Sequence, residues 1–520
     1  MSELEKRIRD KSLLSKVMKA EDTLPFFEGA ARAPMNLGWS GFTPVGYPKM
    51  VPTAVADHVE KKGLQGKWKF NLFIGASVGA ETEDRWAALG LIDRRWPYQT
   101  GKNIAQGINS GHIRMGDKHL SMFAQDLRYG FYTPDKGGKL DIALIEASAI
   151  TEEGHIVLAG SVGAAPEIID IAEKIIVEIN TSLPSFEGMH DIWMTDLPPN
   201  KRPIPITDVR QRIGTPWVPT DKSKIIAIVE SNKPDNGRAL RGTDEQSQAI
   251  ADHIVDFFLA EVKAGRLPKN LLPLQSGVGS IANAVVGGLT QSPFENLVVF
   301  TEVLQDTFLP FLDSGKCKFI NCTSLSLSKE GFVEWWAKFD KYKNMVLLRP
   351  QQVSNNPEVI RRLGVIGMNT PLEFDMYAHA NSTLAGGTKM LNGIGGSGDF
   401  LRNTYLSMMH CPSVRPSKTD ELGISCVVPK VPHVDHTEHD LDVVVTEQGL
   451  ADLRGLAPKD RARVIIQKCA HPAYRDYLMD YLQRAEKTTG LHHEPQMLDE
   501  CYKMHLALAQ AGSMRFWNNA

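Results

Sequence analysis

Short apolar runs alternate with stretches of helical spacing along most of this chain, and that alternation narrows the fold more than any other feature. Met35–Trp39, Lys69–Ile74, Asp141–Ile145 and Lys174–Ile179 read as strands, with helical stretches near Glu3–Lys19 and Thr53–Lys61 before or between them. Apolar strands separated by helices belong to parallel sheets covered on both faces, so the pattern predicts an α/β architecture. Leu197–Pro219 holds six prolines and little periodicity, and reads as a linker. Beyond it a strand at Lys224–Glu230 leads into a long helix, Asp244–Ala264. Its apolar positions Ile250, Ile254, Phe257, Phe258 and Val262 recur at helical spacing. Further strands are expected at Leu271–Gln275, Leu297–Thr301, Cys317–Cys322, Met345–Leu348, Val365–Met368 and Asp442–Thr446. Helices are expected over Ser280–Leu289, from about Lys459, and over Tyr474–Lys487. The expectation is two α/β domains, residues 1–220 and 221–520.

At 520 residues the chain is long enough to bury more than one core. Its 58 basic and 61 acidic side chains leave a net charge of −3, without the basic face that nucleic acid needs. No apolar run approaches the roughly eighteen residues of a membrane-spanning helix. Neither nucleic acid nor membrane is therefore expected as a partner. The six cysteines are scattered without a Cys-x-x-Cys pair, which suits buried thiols in a reducing compartment. The first twenty residues carry Lys6, Arg7, Arg9, Lys11, Lys16 and Lys19, but also Glu3, Glu5 and Asp10. Transit peptides are poor in acids, so this segment by itself gives mitochondrial import little support.

Four constellations can carry chemistry. Gly277-Val278-Gly279-Ser280-Ile281-Ala282 lies between a strand and a helix, where backbone N–H groups turn outward toward an anion. It also fits the dinucleotide fingerprint G-x-G-x-x-A, with Glu302 at the end of the next strand. A nicotinamide-dependent oxidoreductase, another anion site and a plain tight turn all compete here, although Pro273 and Gln275 suit a buried central strand poorly. Glu302 itself sits where open α/β sheets bind ligands. It can bind ribose, act as a base or attack as a nucleophile, or simply cap a helix at Asp306–Leu312.

Met390–Phe400 places four glycines within Gly393–Gly398, a density that lets a ligand approach the backbone. Gly38-Trp39-Ser40-Gly41-Phe42, with Gly46 after it, is a looser cluster that ordinary turning explains equally well. His433-Val434-Asp435-His436-Thr437-Glu438-His439-Asp440 has metal-ligand composition. In an extended segment, however, His433, Asp435 and Thr437 face one way, and His436, Glu438 and Asp440 the other. No face collects three ideal ligands, so no metal is expected and a polar network supporting the strand that leads to Glu447 is. A G-x-S-x-G elbow is absent, and no cysteine lies in an evident electropositive turn.

Leu274–Gly279, Thr301–Asp306, Val353-Ser354-Asn355-Asn356-Pro357, Met390–Phe400 and Val445-Thr446-Glu447-Gln448-Gly449 are five motifs in order. Together they resemble the acetyl-CoA hydrolase / succinyl-CoA:acetate CoA-transferase family, the class I CoA-transferases, and most closely its fungal mitochondrial branch. The likeness runs from Gly38 to about Lys487. It implies two related open-sheet α/β domains of CoA-transferase type, a homodimer, and a mitochondrial location, with the cytoplasm as alternative. It implies Glu302 as nucleophile and the backbone N–H groups of Val278 and Gly396 as oxyanion donors. Gly277, Val278, Gly279, Ser280, Ile281, Asn392 and Gly396 would line the coenzyme A site. Asn355 would donate to a substrate carboxylate or carbonyl, and Glu447 would lie beside it. Coenzyme A would be substrate and covalent intermediate, with no tightly bound cofactor. Acyl-CoA and free carboxylate would be the partners, and Arg238 or Arg241 the cation for a second carboxylate of succinate.

Overall fold

A computed structural model describes residues 2–237 and 242–519. By compactness the chain divides into two units. The first comprises Met1–Leu240, Val299–Leu312 and Lys318–Leu363, and the second Arg241–Val298, Asp313–Cys317 and Gly364–Ala520. A single cut at 220/221 does not reproduce this division. Residues 221–240 stay with the first unit, and so does the segment carrying Glu302.

The sheet of the first unit contains β1 (Met35–Trp39), β2 (Phe70–Ile74), β3 (Ile92–Trp96), β4 (Arg114–Met115), β5 (Leu140–Ile150), β6 (Ile156–Leu158), β7 (Ala172–Asn180) and β8 (Ile225–Ser231). Their order is β4-β3-β2-β1-β5-β7-β8, with β6 antiparallel to β5 and the other pairs parallel. The order reverses between β1 and β5, which makes the carboxyl ends of those two strands a topological switch point. Gly38 in β1 has no room for a side chain, since a Cβ there would meet Ile168 Cγ2 at 2.4 Å.

Two expectations fail here for the same reason, which is long-range pairing. The strand expected at Lys224–Glu230 does not open a second domain but runs parallel to β7, with Val177 opposite Ile228. The Pro-rich stretch 197–219 is not a spacer either. Arg362 donates to the carbonyls of Ile204 and Ile206 at 2.7 and 3.0 Å, and Val218 bridges to Ile156. At the N-terminus the helix expected over Glu3–Lys19 breaks after Arg7, because Ile8 pairs with Ile150 at the end of β5.

The helix Met50–Lys62 has no side-chain cap of its own. Glu178, from β7, accepts the N–H groups of Lys49, Met50 and Val51 at 2.7, 2.9 and 2.7 Å. A carboxylate there satisfies orphan donors and meets the positive end of the helix. Beside it the buried Lys49 ammonium pairs with Glu146 and, at 2.8 Å, with Asp235. That ion pair ties the segment after β8 to the loop after β1.

Glu167, in the helix Ala165–Ile171, is fully buried, and neither carboxyl oxygen has a hydrogen-bond partner among the described residues. Burial pushes its pKa up from 4.5 to about 7. The folded chain therefore holds a proton that the unfolded chain releases between pH 4.5 and 7, and stability falls as pH rises through that window. The loss above pH 7 is on the order of 3 kcal/mol. Glu167→Gln is expected to raise the melting temperature relative to wild type clearly at pH 8 and little at pH 5. A difference that is the same at both pH values would refute this.

In the second unit, parallel strands Leu274–Ser276, Ile366–Asn369, Leu406–His410 and Val443–Thr446 lie side by side in that order. Gly449–Asp452 closes the edge as an antiparallel hairpin. The helix Glu245–Lys263 begins where Asp244 accepts the N–H of Ser247 at 2.7 Å. The core of this unit gathers Phe374, Tyr377, Val444, Tyr474 and Tyr481. All six cysteines are buried and outside any disulfide. No described helix is long and apolar enough to cross a membrane.

Candidate active site

Glu302 occupies a kink between the strand ending at Phe300 and the short strand Val303–Leu304. Its backbone is clamped. Thr301 N–H donates to Asn321 O at 2.9 Å, and Glu302 O accepts the N–H groups of Thr323 and Ser324 at 2.8 and 3.1 Å. Val303–Leu304 pairs in parallel with Ser324–Leu325. Ser324 Oγ in turn donates to Phe42 O at 2.8 Å, in the loop after β1. The carboxylate thus stands on a platform at the switch point of the first sheet, where a ligand is expected.

The side chain of Glu302 is half-buried. Asn355 Nδ2 donates to Glu302 Oε1, while Asn355 Oδ1 accepts from Ser354 Oγ at 3.1 Å. With its carbonyl oxygen engaged on one side, the amide can present only N–H to the carboxylate, which fixes its orientation. Asn355 is fully buried at the end of the helix Gln351–Ser354. One N–H of its amide is therefore engaged by Glu302, and the amide carries a second. Their separation by 53 positions explains why sequence reasoning missed this partnership.

In the second unit the turn after Leu274–Ser276 leads into the helix Ser280–Gln291. Gly277 N–H is held by Met368 O at 3.0 Å. Gly279 has φ +125° with nothing within 4 Å of where a Cβ would sit, so the glycine serves the backbone conformation and not packing. Val278 is 43% exposed despite being apolar, and among the described residues no acceptor takes its N–H. Ser280 and Ile281 form the first turn of the helix. Gln275 has a use that sequence reasoning did not find. It is fully buried, accepts the N–H of Met368 at 2.9 Å and the amide of Asn369 at 3.0 Å, and returns its own N–H to Asn369 Oδ1 at 3.2 Å. This clasp satisfies a polar residue in a central strand and braces the turn beside it. The signal was present in the oddity of a glutamine at that position.

Asn392–Gly396 precedes the helix Ser397–Leu401, which packs against strand Ile366–Asn369. Asn392 Oδ1 accepts the N–H of Gly393 at 2.8 Å. Glu447 follows strand Val443–Thr446. It accepts the N–H of Ser413 at 2.8 Å and also the Ser413 hydroxyl, so its carboxylate holds the loop after Leu406–His410. The G-x-G turn and Glu447 thus lie at the carboxyl ends of one parallel sheet. Among the described residues no group of three or more His, Cys, Asp and Glu side chains can hold a metal. Arg238 and Arg241 lie outside the described residues.

Residues 1–230 match the acetyl-CoA hydrolase/transferase N-terminal domain, and residues 330–482 the C-terminal domain of the same name. An acetyl-CoA hydrolase of Neurospora crassa is 57% identical over 515 residues, 98% of this chain and 97% of that protein. The chain belongs to the acetyl-CoA hydrolase/transferase family. Among solved structures, RipA from Yersinia pestis shares the fold at a TM-score of 0.66 and 21% identity, over 92% of this chain and 99% of that one. A 4-hydroxybutyrate CoA-transferase from Porphyromonas gingivalis does so at 0.60 and 19%, over 91% and 99%. The family is one of enzymes that act on acyl-CoA, and membership removes the nicotinamide reading of Gly277–Ala282.

Proposed function

We propose that this enzyme moves coenzyme A between short-chain acyl-CoA and a free carboxylate through a thioester on Glu302. The observation that carries the reading is the carboxylate of Glu302, clamped by its backbone at a strand end and oriented by Asn355. Glu302 attacks the acyl-CoA carbonyl, forming a mixed anhydride and releasing the CoA thiolate. The thiolate attacks the glutamyl carbonyl of the anhydride, which leaves CoA on Glu302 and frees the first acid. An incoming carboxylate reverses the steps. Only a carboxylate nucleophile gives an anhydride reactive enough to return the acyl group without ATP.

Each attack passes through a tetrahedral oxyanion, for which fixed N–H donors are commonly worth about 3 kcal/mol each. Val278 and Gly396 supply them in this reading, and Gly277–Ile281 with Asn392 take the coenzyme. Succinyl-, propionyl- and acetyl-CoA are the donors, and acetate and succinate the acceptors, with propionyl-CoA:succinate exchange as the role. A homodimer and a mitochondrial location belong to the same reading, supported by the resemblance to the fungal branch and checked by sedimentation and fractionation.

A second reading, hydrolysis as the main activity, is favoured by the name that the Neurospora crassa relative carries. It differs only in letting water attack the glutamyl intermediate. Intact mass after incubation with succinyl-CoA or propionyl-CoA tests the mechanism. The expected result is a CoA-sized adduct that acetate or succinate removes. Turnover measured with and without acceptor acid then separates the readings, since equal rates would favour hydrolysis.

A further inference from the structure

The glycine run Asn392–Gly396 has no regular structure, and Gly393 and Gly395 take φ of +140° and +60°. Such a segment is floppy unless something outside it fixes both ends. Two adjacent residues of the histidine-rich stretch do so. At the entry, Leu391 N–H donates to Thr383 O at 3.0 Å. Thr383 Oγ1 donates to Asp435 Oδ1 at 2.9 Å, and Ser382 N–H to Asp435 Oδ2 at 2.6 Å. At the exit, Ser397 Oγ donates to Ile394 O at 2.9 Å and lies 3.0 Å from His436 Nε2.

A hydroxyl has one proton. With that proton on the Ile394 carbonyl, His436 is the donor, with Nε2 protonated. The backbone of the pair is itself fixed, since His436 and Ala380 exchange N–H···O bonds at 3.1 and 2.9 Å. Arg402 also donates to Asp435 O at 2.6 Å. His436 is fully buried, and Asp435 is nearly so. Asp435 holds Ser382 and Thr383 while His436 meets Ser397, so one dipeptide reaches both ends of the run.

We propose that Asp435 and His436 are positioning residues that bracket the glycine run and hold the N–H of Gly396 toward the developing oxyanion. The proposal rests on the reading of Gly396 given above. It gives the His433–Asp440 stretch a purpose other than metal binding. The bracket acts on the barrier and not on coenzyme affinity, because a donor aimed in advance matters most where charge develops.

The test compares wild type with Ser397→Ala, His436→Ala and His436→Gln in the full chain, measuring kcat, the KM for acyl-CoA and the rate of CoA adduct formation. Ser397→Ala and His436→Ala are expected to lower kcat and the adduct rate about tenfold or more, with KM within about threefold. His436→Gln, whose amide N–H can stand in for Nε2–H, is expected to recover most of the loss. The proposal is overturned if both alanine variants keep kcat within about twofold of wild type. It is also overturned if KM rises with kcat unchanged, or if His436→Gln is as impaired as His436→Ala. Should His436→Ala fail to fold, Ser397→Ala decides alone, since it removes a single hydroxyl. Wild type that forms no adduct would instead overturn the glutamyl mechanism, and the bracket with it.

Discussion

Glu302→Gln is expected to lower turnover on the order of 10⁴-fold or more, the scale seen when a catalytic nucleophile is removed. An amide cannot form the mixed anhydride, so the CoA adduct should vanish along with the turnover. Stability should barely change, because the Gln carbonyl can still accept from Asn355 Nδ2 in the place of Glu302 Oε1. Glu302→Asp is the sharper control. It keeps the chemistry but withdraws the carboxylate by one methylene from Asn355, and a misplacement of about 1 Å can cost roughly 10²-fold. A rate for Glu302→Gln within tenfold of wild type would mean that another group, or water, attacks the thioester.

Much of the scaffold was legible in the residues because parallel strands buried on both faces are written as apolar runs. Met35–Trp39 and Cys317–Cys322 form strands with the expected ends. The strand expected at Leu271–Gln275 begins later, at Leu274, because Pro273 cannot join the ladder as a donor. What periodicity does not record is which distant residue answers a polar one. The stretch 197–219 looked like a linker because its holders, Arg349 and Arg362, come more than a hundred residues later. The alternation expected over His433–Asp440 gives way to a turn in which Thr437 donates to Asp440, and the partners of Asp435 and His436, Thr383 and Ser397, belong to a loop with no periodic signal. Its place at a strand end marked Glu302, the family resemblance marked Asn355, and only the fold brings them into contact.

Arg349→Met is expected to cost about 3–5 kcal/mol of stability, the penalty for stranding one member of a buried ion pair. Arg349 is fully buried and donates to Asp191, Asn321 and the carbonyl of Gln211. Burial draws its pKa down to about 10, which still leaves it charged at neutral pH. Asp191 also accepts the N–H of Gly214 at 2.7 Å, so the pair closes the Pro-rich stretch onto the first unit. The double variant Arg349→Met with Asp191→Asn should recover part of the loss, and a double-mutant cycle in denaturant measures how much. Strict additivity would show that the two charges do not interact. The same residue links stability to chemistry. Arg349 stands just before the helix that ends at Asn355, and it holds Asn321, whose backbone carbonyl fixes Thr301 beside Glu302. A variant that stays folded should therefore lose turnover as well, because both the carboxylate and the amide that aims it rest on this one guanidinium.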